Sequence, residues 1–237
     1  MKTFESIRDL IENSLTQAGS IGTQQERWIH QAIKYYLSND PMTHEIAMDG
    51  YVVDVLLDGE IYEVQTGAVW KLTSKLSHFL PHYPVHVVIP LVYKKTIMTL
   101  NEYGIKLSER RSPRVAKLQH IALVIEPLFS MLNHPNLSVM VMMIEVDEYR
   151  RKSEMVDKKL WTERIPKGSP VVYTFRKPDD YRLFLPETLP HQFTRVDYQT
   201  YVRLSPNAAM AMMRLLNVVG LIDQVGKQGR YHLYQKR

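Results

Sequence analysis

The stretch YVVDVLLDGEIYEVQT, residues 51–66, decides the fold of the first half of this 237-residue chain. Two runs of β-branched, aromatic and aliphatic residues flank the dipeptide Asp58-Gly59. A two-residue turn of this kind requires a positive φ at both positions, and Asp and Gly tolerate that conformation. Asp-Gly between two such runs is therefore a strong signal for a β-hairpin. The resulting register predicts that Asp54 lies directly opposite Glu63, on one face of the hairpin.

The predicted pair of carboxylates requires a partner. Asp54 and Glu63 would have their Cβ atoms about 5 Å apart, and their predicted neighbours Val52, Leu56 and Ile61 are apolar. Like charges in such surroundings share a proton, bind a divalent cation or lie near a Lys or Arg. We expect Mg²⁺ or Mn²⁺, which bind through one or two carboxylates; a solvated pair at a sheet edge is the alternative. Relief of repulsion also predicts that Asp54→Ala does not destabilise the metal-free protein.

The flanking sequence predicts a mixed α/β domain over residues 1–148. Apolar spacing typical of helices occurs before and after the hairpin, at 4–15, 24–37, 68–80 and 115–132. Apolar runs typical of strands follow at 85–93, 94–100 and 137–147.

The C-terminal part, residues 179–237, predicts a small winged-helix domain. Two helices are expected at 193–204 and 205–219, the second with Ser205 as N-cap, Pro206 at its first position and Gly220 after its end. A hairpin around Gly226 and Gly229 would be the wing. Residues 149–178 predict a basic connection with a short hairpin, from KLWTERI to PVVYTF.

Charge is distributed unevenly along the chain. Residues 1–148 hold 13 Lys and Arg against 17 Asp and Glu, whereas residues 149–237 hold 17 against 8. A basic second part favours a polyanion as its partner, with solvated surface charge as the alternative. The absence of cysteine excludes disulfides, thiolate metal sites and a cysteine nucleophile. No apolar run approaches the roughly 20 residues of a membrane span, so we expect a cytoplasmic protein without a membrane partner.

The order of motifs around the hairpin resembles the PD-(D/E)xK nuclease superfamily, which has the restriction-endonuclease-like fold. That pattern is an acid on a helix, a strand ending in an acid, a hairpin, acid-x-Lys on the next strand, and another helix. On this resemblance, Glu26 matches the helix acid, Asp54 and Glu63 match the strand acids, and Gln65 stands where lysine is usual. Val53 stands in place of the motif's proline. The resemblance covers about residues 20–100 and extends to 147; EVQTG and HYPVHVVIP also resemble uncharacterised bacterial proteins with this core.

The resemblance implies hydrolysis of phosphodiester bonds with Mg²⁺ or Mn²⁺ held by Asp54 and Glu63. Gln65 would orient a water but lacks the positive charge of lysine. Lys71 and Lys75 are candidates to supply that charge to the phosphate, with a solvated helix face as their alternative. Glu26 also has an alternative role to the metal site: the spacing Thr23-x-x-Glu26 is that of a capping box, in which the glutamate caps the start of the helix without a metal.

The sequence therefore predicts a metal-dependent DNA nuclease that a winged-helix domain directs to duplex or branched DNA. Candidate groove contacts are Asn207 and Arg214, and candidate phosphate contacts near the wing tip are Lys227 and Arg230. A homodimer is left open. One alternative is a non-catalytic DNA-binding regulator on a nuclease-like scaffold, which Gln65 favours. The other is an assembly protein that uses its C-terminal part for docking and does not bind nucleic acid.

Overall fold

The computed structural model describes residues 2–10, 24–152 and 159–237, and within these ranges it forms two compact units that alternate along the chain. Unit 1 takes its residues from 1–67, 87–117 and 141–173, and unit 2 from 68–86, 118–140 and 174–237. The predicted C-terminal domain therefore lies within unit 2, together with two earlier segments. The predicted domain of residues 1–148 contributes to both units.

Unit 1 is built on a seven-stranded sheet. Its strands follow the spatial order β1 (His44–Met48), β2 (Tyr51–Leu57), β3 (Glu60–Val64), β4 (Val85–Leu100), β6 (Leu137–Lys152) and β7 (Lys159–Phe175), and β5 (Lys106–Arg111) pairs with β4. Short ends of β4, β6 and β7 belong to unit 2. Helix α1 (Gln24–Leu37) contacts β2 and β3, and its apolar stripe is buried at Trp28, Ile29, Ala32 and Ile33.

Strands β1, β2 and β3 form an antiparallel meander with two Asp-Gly turns. Pairing of Leu57 with Glu60 leaves Asp58-Gly59 as a two-residue turn, so the predicted hairpin is confirmed. Pairing of Met48 with Tyr51 leaves Asp49-Gly50 as a second such turn, which the sequence analysis did not assign. All four turn residues have positive φ, between 50° and 81°, as a two-residue hairpin of this kind requires.

Two parts of the sheet differ from the sequence prediction. The runs at 85–93 and 94–100 join into one strand, β4, that passes through Pro90. The segment 149–178, predicted as a connection with a short hairpin, supplies the end of β6 and the whole of β7, so the two halves of the predicted hairpin form one strand. Pro166, Gly168 and Pro170 interrupt the strand pattern of β7 in the sequence, but β7 is an edge strand, where residues that cannot donate a ladder hydrogen bond are tolerated.

Unit 2 combines short helices with a three-stranded sheet. Its helices are α2 (Thr73–Phe79), α3 (Ile121–Val124), α4 (Arg195–Val202) and α5 (Pro206–Val218), and its sheet has the order β8 (Gln192–Thr194), β10 (Tyr231–Lys236), β9 (Ile222–Gln228). The predicted helices at 68–80 and 115–132 are each divided between 3-10 turns and a short α-helix. The fold is therefore mixed α/β, as predicted. No helix within the described ranges is long and apolar enough to span a membrane.

Capping residues fix where α4 and α5 begin. Ser205 accepts a hydrogen bond from the backbone of Ala208 and Pro206 is the first residue of α5, so the predicted start is confirmed. Helix α4 begins later than predicted because residues 192–194 form β8. Thr194 caps it and Asp197 completes a capping box.

A buried ion cluster ties together three strands of unit 1. Glu148 on β6 is 1% exposed, and its carboxylate accepts hydrogen bonds from Lys95 Nζ (2.9 Å), Arg150 Nε (2.7 Å) and Arg164 Nε (2.9 Å). Burial would raise the pKa of Glu148, but the hydrogen bonds from the three cations outweigh it and lower the pKa to about 2. The carboxylate therefore stays ionised and holds three cationic side chains in place.

We expect Glu148 to make the stability of the protein depend on pH in the acid range. Because its folded-state pKa is lowered, its stabilisation is present above the ordinary value of 4.5 and is lost as the pH falls towards 2. Glu148→Gln should lower the free energy of unfolding at neutral pH by roughly 1–2 kcal/mol, allowing for the partly exposed cations. The difference from wild type should shrink below pH 4.5.

Urea unfolding at a series of pH values measures this effect. Glu187→Gln is a control, because Glu187 is exposed. A Glu148→Gln deficit that stays constant down to the lowest pH would contradict the role given to Glu148.

Candidate functional site

Three carboxylates lie side by side on β1, β2 and β3. The register on either side places Glu45 opposite Asp54, and the register of the second hairpin continues to place Asp54 opposite Glu63. Two hydrogen bonds follow the ladder there: Val64 N–H donates to Asp54 Oδ2 (2.8 Å), and Asp54 N–H donates to Glu63 Oε1 (3.4 Å). The structure thus brings Asp54 and Glu63 together and adds Glu45. We call these three residues the acid row.

Helix α1 adds a histidine and a lysine to the acid row. His30 Nε2 lies 3.3 Å from Asp54 Oδ2, and Lys34 Nζ donates a hydrogen bond to Glu45 Oε1 at 2.7 Å. Residues four apart share one face of a helix, so both side chains reach the same region. Lys34 is 1% exposed, so its ammonium is almost completely removed from water.

The acid row and its two partners carry an excess of negative charge. The three carboxylates outnumber the Lys34 ammonium and the His30 ring, and Glu45 is the most exposed of the three, at 62% of its side chain. The hydrogen bond and charge of Lys34 lower the pKa of Glu45, while the nearby Asp54 carboxylate acts in the opposite direction. Glu63 is buried and the Asp54 side chain is 21% exposed, so water only partly screens this charge.

The backbone of the acid row is strained at one point. Glu45 has a φ of 54° within β1, in the left-handed region that costs a non-glycine residue on the order of 1–2 kcal/mol. The hydrogen-bonded ion pair with buried Lys34 accompanies this conformation. Residues held in such conformations concentrate at functional sites, so the strain is a second reason to regard the acid row as one.

One edge of the acid row opens to solvent. Ile61 is fully buried and Leu56 is half-buried, as an apolar setting requires, but Val52 is 57% exposed. The predicted apolar surroundings are therefore present on one side only, because the Val52 side chain faces solvent. A hydrated ligand can approach from that side.

Two other predicted site residues belong to unit 1. Gln65 directly follows β3 and is half-buried, and its backbone N–H donates to Val88 O on β4 at 2.9 Å. Glu26 lies on α1, but its side chain and the whole of Thr23 are outside the described part of the chain. The choice between a metal-site role and a capping role for Glu26 stays a prediction.

The two predicted lysines belong to unit 2. Lys71 is exposed in the 3-10 turn Val69–Leu72, with its Nζ 5.9 Å from the ring centroid of Trp70. Lys75 is half-buried on α2. Their proposed action on a phosphate stays a prediction.

The predicted nucleic-acid contacts of unit 2 have different surroundings. Asn207 and Arg214 lie on the exposed face of α5, and Arg214 Nη2 forms a 2.8 Å ion pair with Glu126 Oε1. Lys227 and Arg230 are exposed on the β9–β10 hairpin. A contact of Arg214 with DNA would have to compete with Glu126, whereas the hairpin cations are more accessible.

Sequence reasoning missed three members of this cluster, although the sequence carried a signal for each. His30 and Lys34 are polar residues four apart beside the apolar stripe of α1. Asp49-Gly50 is a second Asp-Gly pair before a strand, and its register would have placed Glu45 opposite Asp54.

The donor set fits a small, hard divalent cation. Asp54 and Glu63 offer carboxylate oxygens, which suit Mg²⁺ or Mn²⁺. No three His, Cys, Asp or Glu side chains in the described ranges are grouped as a metal site. Mg²⁺ keeps several waters and binds through one or two carboxylates, whereas zinc needs at least three protein ligands. The pair therefore fits Mg²⁺ better than zinc.

Fold and site together define a mixed α/β protein with an acidic cluster on a three-stranded meander. A family model described as a domain of unknown function (DUF8091) matches residues 27–171, so the chain belongs to this family. An uncharacterized protein of Treponema pallidum (strain Nichols) is 31% identical over an alignment of 229 residues that covers 92% of this chain and 88% of that relative. No solved structure matches the chain. The acid row, His30 and Lys34 all lie within the residues that the family model matches.

The hydrogen bond from Val64 changes the expected effect of replacing Asp54. Asp54→Ala relieves repulsion but deprives Val64 N–H of its acceptor, which costs roughly 1–2 kcal/mol. Asp54→Asn relieves the same repulsion and keeps an acceptor oxygen. In metal-free buffer we expect Asp54→Ala to be less stable than Asp54→Asn by that amount. Urea unfolding measures both, and equal stabilities of the two variants would contradict this account.

Proposed function

We propose that this protein is a metal-dependent DNA nuclease that hydrolyses phosphodiester bonds, with Mg²⁺ or Mn²⁺ held by Asp54 and Glu63. The observation that carries the proposal is the placement of these carboxylates on adjacent strands, in a partly buried cluster of negative charge. A divalent cation would remove the repulsion that the register imposes. The opening beside Val52 provides a route of access.

The order of elements supports the proposal. Helix α1, the meander β1–β3, helix α2 and strand β4 follow one another as the resemblance to restriction-endonuclease-like nucleases implies. The three-stranded sheet beside α4 and α5 supports a winged-helix assignment for the end of unit 2, with the β9–β10 hairpin as the wing. The proposal thus includes a restriction-endonuclease-like fold for the elements around the meander and a winged-helix fold for the end of unit 2.

The side chains around the acid row have separate tasks in this proposal. A divalent cation, when bound, lowers the pKa of a coordinated water and polarises the phosphoryl oxygen. Asp54 and Glu63 would hold that cation, and His30 orients the Asp54 carboxylate. Lys34 engages Glu45 and brings a positive charge into the cluster. Gln65 can orient a water but adds no charge.

A second function has its own supporting observation. Gln65 stands where the superfamily usually has lysine, and Asp54 and Glu63 already accept backbone hydrogen bonds. A non-catalytic DNA-binding regulator on a nuclease-like scaffold would have these features. The two functions differ in metal-dependent cleavage, not in DNA binding.

Cleavage of duplex, branched and single-stranded DNA with Mg²⁺ or Mn²⁺ tests the proposal. Asp54→Asn should lower the cleavage rate by more than about 100-fold, since even the outer partners of metal ligands contribute 10- to 100-fold. Its affinity for DNA in EDTA should stay close to wild type, because binding depends on basic groups elsewhere.

Asp58→Asn is the matched control. It removes an exposed carboxylate from the same hairpin, and asparagine tolerates the positive φ of that turn position. It should cleave like wild type. Gln65→Lys should retain or raise activity. If wild type and Gln65→Lys both leave every substrate intact, and calorimetry detects no Mn²⁺ binding that depends on Asp54, the regulator is the better account.

A further inference from the structure

Unit 1 contains a cavity of about 290 Å³ whose charged lining is entirely positive. Lys95, Arg114 and Arg164 line it, together with Val92, Val115 and Ala116. The Glu148 carboxylate accepts hydrogen bonds from Lys95 and Arg164 and so neutralises part of this charge. Because the three cations outnumber this carboxylate, the cavity suits an additional anionic ligand.

A second basic cavity, of about 310 Å³, adjoins the first and shares Lys95 and Val115 with it. Lys94, Arg111 and Lys167 add three more cations, against one carboxylate in its lining, that of Glu145. The two cavities, which we call the basic cradle, thus have six cations along their walls. A single phosphate would engage only part of this surface.

The basic cradle keeps a net positive charge after its ion pairs are counted. Lys94 binds Glu145, Lys167 binds Asp147, and Lys95 and Arg164 share Glu148. Six cations against these three carboxylates leave +3. Arg111 and Arg114 have no carboxylate partner among the described residues, so their guanidinium groups are available for a ligand.

Part of the basic cradle is held in place before any ligand binds. Buried Glu148 fixes the heads of Lys95 and Arg164, which lie on different strands, at 2.9 Å each. Side chains that are already ordered lose little conformational entropy on binding. Glu148 thus acts as a positioning residue for two of the cations.

The sequence around the basic cradle is strongly basic. Residues 87–117 hold seven Lys and Arg against two Asp and Glu, a net charge of +5, although residues 1–148 as a whole are acidic. This segment forms most of β4, the exposed strand β5 and the loop with Arg114. The polyanion-binding character that the sequence assigns to the C-terminal part is therefore also present in unit 1.

We propose that the basic cradle of unit 1 binds the phosphate backbone of double-stranded DNA, without regard to base sequence. Arg111 and Arg114 contact phosphates directly, and Lys95 and Arg164 form a prepositioned pair beside them. The inference deepens the proposed function by naming the surface that holds the substrate, but binding at this surface requires neither the acid row nor a metal.

The lining of the basic cradle favours a duplex over a single strand. Single-stranded nucleic acids are bound through bases that stack on aromatic side chains, and none of the described residues that line the two cavities is aromatic. Duplex DNA presents its phosphates outward and its bases inward, so cations alone suffice to bind it. Exposed Tyr103, Ile105 and Leu107 near the β4–β5 turn make an anionic membrane the competing partner.

Fluorescence anisotropy with a labelled 20-base-pair duplex in EDTA tests the proposal. Arg111→Ala combined with Arg114→Ala should raise the Kd on the order of tenfold or more at about 50 mM salt. The slope of log K against log salt should fall by about 2, one for each lost phosphate contact. Lys227→Ala combined with Arg230→Ala is the matched control, because it removes the same charge from exposed positions of the wing, and it should change both quantities less.

Three results would overturn the proposal. They are an unchanged Kd in the Arg111/Arg114 variant, a larger loss in the wing control, and wild-type binding to phosphatidylserine vesicles but not to the duplex. A duplex affinity that depends on Arg111 and Arg114, together with absent cleavage, would support the basic cradle and refute the nuclease. Metal-dependent cleavage that the Arg111/Arg114 change leaves untouched at low DNA concentration would refute the basic cradle alone.

Discussion

The register of β1, β2 and β3 is set by two turns that each contain Asp-Gly, and the candidate site depends on that register. A two-residue hairpin turn with positive φ at both positions allows one pairing of its strands. Each strand and turn together advance the chain by nine residues, so Glu45, Asp54 and Glu63 come to lie opposite one another. A slip of one residue would turn these side chains to the other face of the sheet.

The protein keeps this register although it sets like charges side by side. Opposed like charges across strands cost a few tenths to about 1 kcal/mol per pair. The same register buries Val53, Val55 and Ile61 completely, and each such side chain contributes roughly 1.5–3 kcal/mol. Core burial therefore outweighs the repulsion. Helix α1 reduces the remaining repulsion, since Lys34 forms an ion pair with Glu45 and His30 lies beside Asp54.

The parts of the fold that the sequence predicted are those fixed by local chemistry. The Asp58-Gly59 turn and the Ser205-Pro206 start of α5 each depend on residues within one turn of chain, and both are present as predicted. The division of the chain into units, by contrast, depends on contacts between distant segments, which periodicity does not record. Strand β7 was predicted as two strands of a short hairpin for a similar reason: only its place at the sheet edge makes its prolines and glycine compatible with one continuous strand.

The sequence predicted the two carboxylates Asp54 and Glu63 of the candidate site but not the residues of α1 that contact the acid row. Cross-strand geometry gives Asp54 and Glu63, because it follows from one turn. His30 and Lys34 depend on which face of α1 meets the sheet, and a stripe of apolar residues indicates that face only to within about one position. The basic cradle was not predicted because charge was summed over the whole of residues 1–148. That segment has a net charge of −4, although residues 87–117 within it have a net charge of +5.

Unit 1 therefore carries two groups of charge of opposite sign, and the proposed function uses both. The carboxylates of the acid row repel a phosphate, and in the proposed nuclease a divalent cation held by Asp54 and Glu63 would offset that repulsion. In the proposal, the basic cradle would attract phosphates of the DNA backbone through its net charge of +3, whether or not the cation is present. In this proposal, the fixed cations of the basic cradle attract DNA, and the divalent cation at the acid row activates water. The two can be lost separately, so DNA binding in EDTA would report on the basic cradle and cleavage in Mg²⁺ on the acid row.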